Sequence, residues 1–84
     1  MKKLLYFSAA WCQPCKMFGP IMDEVSEENI PVQKVDVDAE NELSQKYQIR
    51  NVPTVILVEK DGTEVAKFIG VKSKQQVIDF YNEH

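Results

Sequence analysis

The chain has 84 residues and no second hydrophobic pattern set apart by a linker, so residues 1–84 are expected to form one domain around one core. Apolar residues make up 44% and charged residues 27%, a balance that excludes a disordered or membrane-spanning chain. The formal net charge of -3, with Lys and Arg scattered, excludes nucleic acid as a direct ligand, and two cysteines three positions apart cannot build the multi-disulfide framework of small secreted domains.

Lys2-Lys3, the apolar run from Leu4 to Phe7 and the small residues Ser8-Ala9-Ala10 superficially resemble a secretory signal. The run is too short, since a signal core needs roughly 7–15 apolar residues, and cleavage after Ala10 would strip the cysteines of their strand. Leu4–Ser8 therefore reads as a first strand buried on both faces, and the protein as cytoplasmic. From Pro14 to about Glu28, Met17, Phe18, Ile21, Met22 and Val25 recur at helical spacing, with acidic residues mostly opposite and a kink expected at Pro20.

Val32–Val37 alternates as a second strand, after which Asp38 is expected to cap a helix running to about Tyr47, with Ala39, Leu43 and Tyr47 on one face. Thr54–Glu59 and Glu64–Ile69 flank the hairpin signal Asp61-Gly62. Gly70 ends the last strand. Ser73 and Gln76 form a capping box that opens a helix turning Val77, Ile78, Phe80 and Tyr81 inward. The order β-α-β-α-β-β-α predicts an α/β fold, a three-layer sandwich whose four-stranded mixed sheet is covered by helices on both faces.

Trp11-Cys12-Gln13-Pro14-Cys15-Lys16 falls where the first strand ends and the first helix begins. There the unpaired backbone N–H groups and the helix dipole favour a thiolate on Cys12, with a pKa below about 8.5. Cys15, one turn on, can attack a mixed disulfide formed on Cys12, while Pro14 stiffens the turn. The competing readings are half of a zinc site or two structural thiols. Zinc would need ligands from another chain, because there is no second cysteine pair and the sole histidine, His84, is terminal. No metal is expected.

The Trp-Cys-x-Pro-Cys-Lys pattern, with Gln13 in place of the usual Gly, together with Val52-Pro53-Thr54, resembles the thioredoxin family over nearly the whole chain. The likeness extends to Pro20, Lys34 to Asp38, Tyr47 to Arg50, and Gly70. It implies a disulfide reductase with Cys12 as nucleophile and Cys15 as resolving thiol, working without a cofactor other than that cysteine pair. It also implies a cis Pro53 facing the cysteines, and a substrate-binding surface of Trp11, Val52, Pro53 and Gly70 on which the backbone of Val52 pairs with an extended substrate. The implied partners are protein disulfides and a thioredoxin-reductase-like recycling enzyme, the protein being a monomer. Cys12 is expected to be exposed and Cys15 buried.

Two departures from the family stand out. Only eleven residues precede Cys12, which implies a trimmed fold of glutaredoxin size. Tyr6 occupies the place of the family's buried Asp beneath the second cysteine. A phenol keeps its proton near neutrality and can act there at most as a hydrogen-bond donor, which leaves the proton of Cys15 to water or to another group such as Asp36, with Lys34 as a candidate tuning charge. Two alternative functions stay open: a glutathione-dependent, glutaredoxin-like reductase, against which stand Gln13-Pro14 and Gly70-Val71-Lys72, and an interaction module with incidental redox activity.

Overall fold

Consecutive apolar residues need cover on both sides, and the first strand shows how this is met. In the computed structural model, which describes residues 1–84, β1 (Lys3–Ser8) turns Leu4 and Tyr6 to one face of the sheet and Leu5 and Phe7 to the other, all four buried. β1 pairs in parallel with β2 (Val32–Asp36) and antiparallel with β3 (Thr54–Val58), which in turn pairs antiparallel with β4 (Glu64–Ile69), so the strand order is β2-β1-β3-β4. This is the expected four-stranded mixed sheet.

One face is covered by α1 (Gln13–Ser26) and α3 (Lys74–Glu83), which seal Leu4, Tyr6, Val55 and Leu57 under Phe18, Met22, Val25 and Val77. Phe18 stands edge-on to both Tyr6 and Phe68, and burying such a ring contributes about 1.5–3 kcal/mol. The expected capping box is present. The hydroxyl of Ser73 accepts the N–H of Gln76, and the Gln76 amide oxygen accepts the N–H of Ser73. Helix α1 ends at Ser26 rather than Glu28, because Asn29 takes a left-handed conformation (φ 62°) ahead of Pro31.

The other face is covered by α2 (Asn41–Lys46), a shorter helix than the spacing predicts. Asp38 does not cap it. The turn after β2 is instead held by Asp36, whose Oδ1 accepts the N–H groups of Asp38 (2.8 Å) and Ala39 (3.3 Å), so the chain closes a turn before any helix begins. Leu43 and Tyr47 still pack on Phe7, Val35 and Ile56, and the Tyr47 hydroxyl donates to the carbonyl of Gly62 in the β3–β4 hairpin. At the edge of this face Val65, Lys67 and Ile69 of β4 stay exposed, while Phe68 turns inward.

Candidate active site

A strand that points into a helix places the residues between them against the helix's free N–H groups. Cys12 is the residue preceding α1, in an extended conformation (φ -88°, ψ 112°), and its Sγ accepts the N–H of Cys15 at 3.2 Å. Gln13 and Pro14 form the start of the first turn, where the missing N–H of proline leaves no donor unsatisfied. Cys12 and Cys15 are joined by a disulfide, with Cα atoms 5.2 Å apart.

The expectation that Cys12 is exposed is corrected here. Both cysteines are buried, at 4% and 5% exposure, in a small apolar cluster with Ala9 against which Val37 and Val52 pack. Part of the cover on the pair, Val37 and Val52, comes from segments remote in sequence, which a helix-position argument cannot weigh.

The Val52–Pro53 bond is cis, and Val52 belongs to the wall around the cysteines. The carbonyl of Pro53 accepts the N–H of Gly70 at 2.9 Å, which ties the end of β4 to the proline turn. Gly70 has φ 97°, a conformation that only glycine adopts without strain. Trp11 lies 68% exposed beside the pair, and its indole N–H donates to Asp38 Oδ2 at 2.9 Å. Sequence pattern alone gives Asp38 no role beyond a helix cap. The 27-residue separation of its contact with Trp11 leaves no local signal.

Beneath Cys15 runs a groove of about 380 Å³, and among the residues lining it are Tyr6, Lys16, Lys34 and Asp36. The buried Tyr6 hydroxyl donates to the carbonyl of Cys15 at 3.1 Å, bracing the second cysteine's backbone from β1. Burial chiefly pushes the phenol pKa up. Lys34 reaches this groove, but its ammonium pairs with Asp23 at 2.6 Å on the solvent side, and Asp36 Oδ1 is committed to its turn. No group of three or more His, Cys, Asp and Glu side chains is placed to hold a metal ion, and no helix is long and apolar enough to cross a membrane.

The raised phenol pKa has a measurable sign. A protonated Tyr6 contributes stability that is complete below the unfolded value of about 10 and is lost as pH rises toward the higher folded value. Urea unfolding across this alkaline range is expected to show that decline, and Tyr6→Phe to show less of it. An identical decline in both proteins would mean that Tyr6 is not the group responsible.

A family model described as Thioredoxin matches residues 1–83. The chain belongs to the thioredoxin family. It is 35% identical over 83 residues to the thioredoxin of Chlamydia pneumoniae, covering 96% of this chain and 80% of that one. To the thioredoxin of Bacillus subtilis it is 38% identical over 81 residues, covering 93% and 77%. Among solved structures, a mutant thioredoxin from Halobacterium salinarum superposes with a TM-score of 0.89 at 32% identity, covering 98% of this chain and 73% of the other. The protein is thus a protein-disulfide oxidoreductase whose redox group is its cysteine pair. Membership of the thioredoxin family brings with it disulfide substrates and a recycling reductase, and it does not favour the glutaredoxin alternative.

Proposed function

We propose that the protein reduces protein disulfides with Cys12 as the attacking thiolate and Cys15 as the resolving thiol. The observation carrying this assignment is that Cys12 Sγ, at the helix N-terminus, accepts the N–H of Cys15, so that a donor already faces a developing negative charge. In the dithiol state the Cys12 thiolate attacks one sulfur of the substrate. The substrate S–S bond breaks, one substrate sulfur leaves as a thiolate that takes a proton, and a Cys12–substrate disulfide forms. Cys15 then gives up its proton and attacks Cys12 Sγ, releasing the second substrate thiol. The two electrons of the dithiol pass to the substrate, leaving the Cys12–Cys15 disulfide that the structure holds.

Tyr6 keeps its own proton and braces the Cys15 backbone. The proton of Cys15 leaves into the groove below it, which Asp36 lines. Trp11, Val52, Pro53 and Gly70 form the docking surface, with the backbone of Val52 pairing to an extended substrate chain and the flat, exposed Trp11 ring receiving an apolar side chain. On this reading residues 1–84 act as one monomeric domain in the cytoplasm, recharged by a thioredoxin-reductase-like enzyme. The test is insulin reduction at catalytic protein concentration with excess dithiothreitol. Accelerated precipitation of the insulin B chain is expected, and a rate no faster than dithiothreitol alone would remove the proposal.

A further inference from the structure

We propose that the cleft beside the cis-proline turn, walled by Arg50, Lys67 and Ile69, receives an acidic side chain of the substrate polypeptide. The site would then favour disulfides with a carboxylate near the reacting cysteine. This inference rests on the attacking role assigned to Cys12. The ends of β1, β2 and β4 and the start of β3 all gather at one edge of the sheet, with the cysteines above β1. At the β2 end of that edge stand the carboxylates of Asp36 and Asp38. At the opposite end a cleft of about 280 Å³ contains no carboxylate and two cations, Arg50 and Lys67.

Neither cation forms an ion pair, a state that they share with every basic residue except Lys34 and Lys74, so what sets them apart is that both line one cleft. In a chain of net charge -3, two unpaired cations in one cleft that no carboxylate lines make a local positive field. The cleft is also joined to the docking surface. Its Asn51 directly precedes Val52, the hydroxyl of Thr54 donates to the Asn51 carbonyl at 2.6 Å, and Ile69 directly precedes Gly70, whose N–H is held by Pro53. An extended substrate passing Val52 and leaving over the end of β4 therefore crosses it. Ile69, 57% exposed, offers an apolar wall to the methylenes of an Asp or Glu, and the Arg50 guanidinium supplies the planar donor fork that a carboxylate accepts.

The test uses short peptides with one cysteine in disulfide linkage to a small neutral thiol. Asp or Asn is placed in turn at each of the three positions on either side of the cysteine. The rate of reduction by the dithiol protein is read for each pair. At one or more positions the Asp peptide should react about three- to tenfold faster than its Asn twin, and the advantage should shrink as salt is raised. Arg50→Gln with Lys67→Gln should bring the ratio to near one, and Arg50→Glu with Lys67→Glu should invert it, which a merely structural role would not do. No Asp preference at any position, or a preference that survives charge reversal, overturns the subsite while leaving the reductase reading intact. Failure of the unmodified protein to reduce any of the peptides overturns both.

Discussion

Cys12→Ser is expected to reduce catalysed insulin reduction to the dithiothreitol background, a loss on the order of a thousandfold or more. The reason is positional as much as chemical. Cys12 is the residue whose sulfur faces the open N-terminus of α1, and a serine hydroxyl there accepts the same Cys15 N–H without supplying a thiolate. Cys15→Ser should fail differently. The first exchange survives, but the sulfur whose Cα lies 5.2 Å away is missing, so the intramolecular attack that frees the product is lost and the protein stalls as an adduct. Turnover falls to background in Cys12→Ser and, in Cys15→Ser, to the rate at which dithiothreitol releases the adduct from outside, and intact-mass measurement separates the two. If Cys12→Ser retained turnover and Cys15→Ser did not, the two roles would be exchanged.

Tyr6→Asp is expected to destabilise the fold by about 3 kcal/mol or more, because it removes a buried ring and introduces a buried carboxyl whose cheapest state is protonated. Tyr6 is 2% exposed, packs edge-on against Phe18, and holds the carbonyl of Cys15 through its hydroxyl. Set against the roughly 4–13 kcal/mol available to a domain of this length, the loss is a large fraction. It has a direction in pH. The new carboxyl has a folded pKa raised above its unfolded value of about 3.9, so the variant is least destabilised in acid and loses stability as pH rises through that interval. Tyr6→Phe keeps the ring and gives up one hydrogen bond, about 1 kcal/mol, with little change in exchange rate. Urea unfolding of both variants at acid and neutral pH checks the ordering. A Tyr6→Phe protein that folds normally but exchanges slowly would show that the hydroxyl has a part in the chemistry.

The features legible in the sequence are those carried by local physics. The unbroken apolar run of β1, the capping box of Ser73 and Gln76, the Asp61-Gly62 hairpin and the cysteine position at a strand-to-helix junction each depend on neighbours a few residues apart. The features that escape it depend on chain segments meeting in space. Val37 and Val52, from loops far along the chain, pack against the cluster that holds Cys12, so its burial could not follow from its place at the start of α1. Asp38 has the composition of a helix cap, yet Asp36 already satisfies the N–H groups of that turn, which leaves the Asp38 carboxylate to hold Trp11. Lys67 and Arg50 are seventeen positions apart and meet only because β4 folds back beside the proline turn. The cis state of Val52–Pro53 follows from family resemblance alone; a lone X-Pro bond favours trans.

The most direct test of the central assignment is to mix reduced Cys15→Ser protein with a disulfide-bonded peptide, quench with acid, and locate the adduct by digestion and mass spectrometry. The assignment of Cys12 as the attacking thiol requires that one peptide per protein accumulate through a disulfide to Cys12 and be released by dithiothreitol. Absence of any adduct under conditions in which the unmodified protein turns over would contradict it.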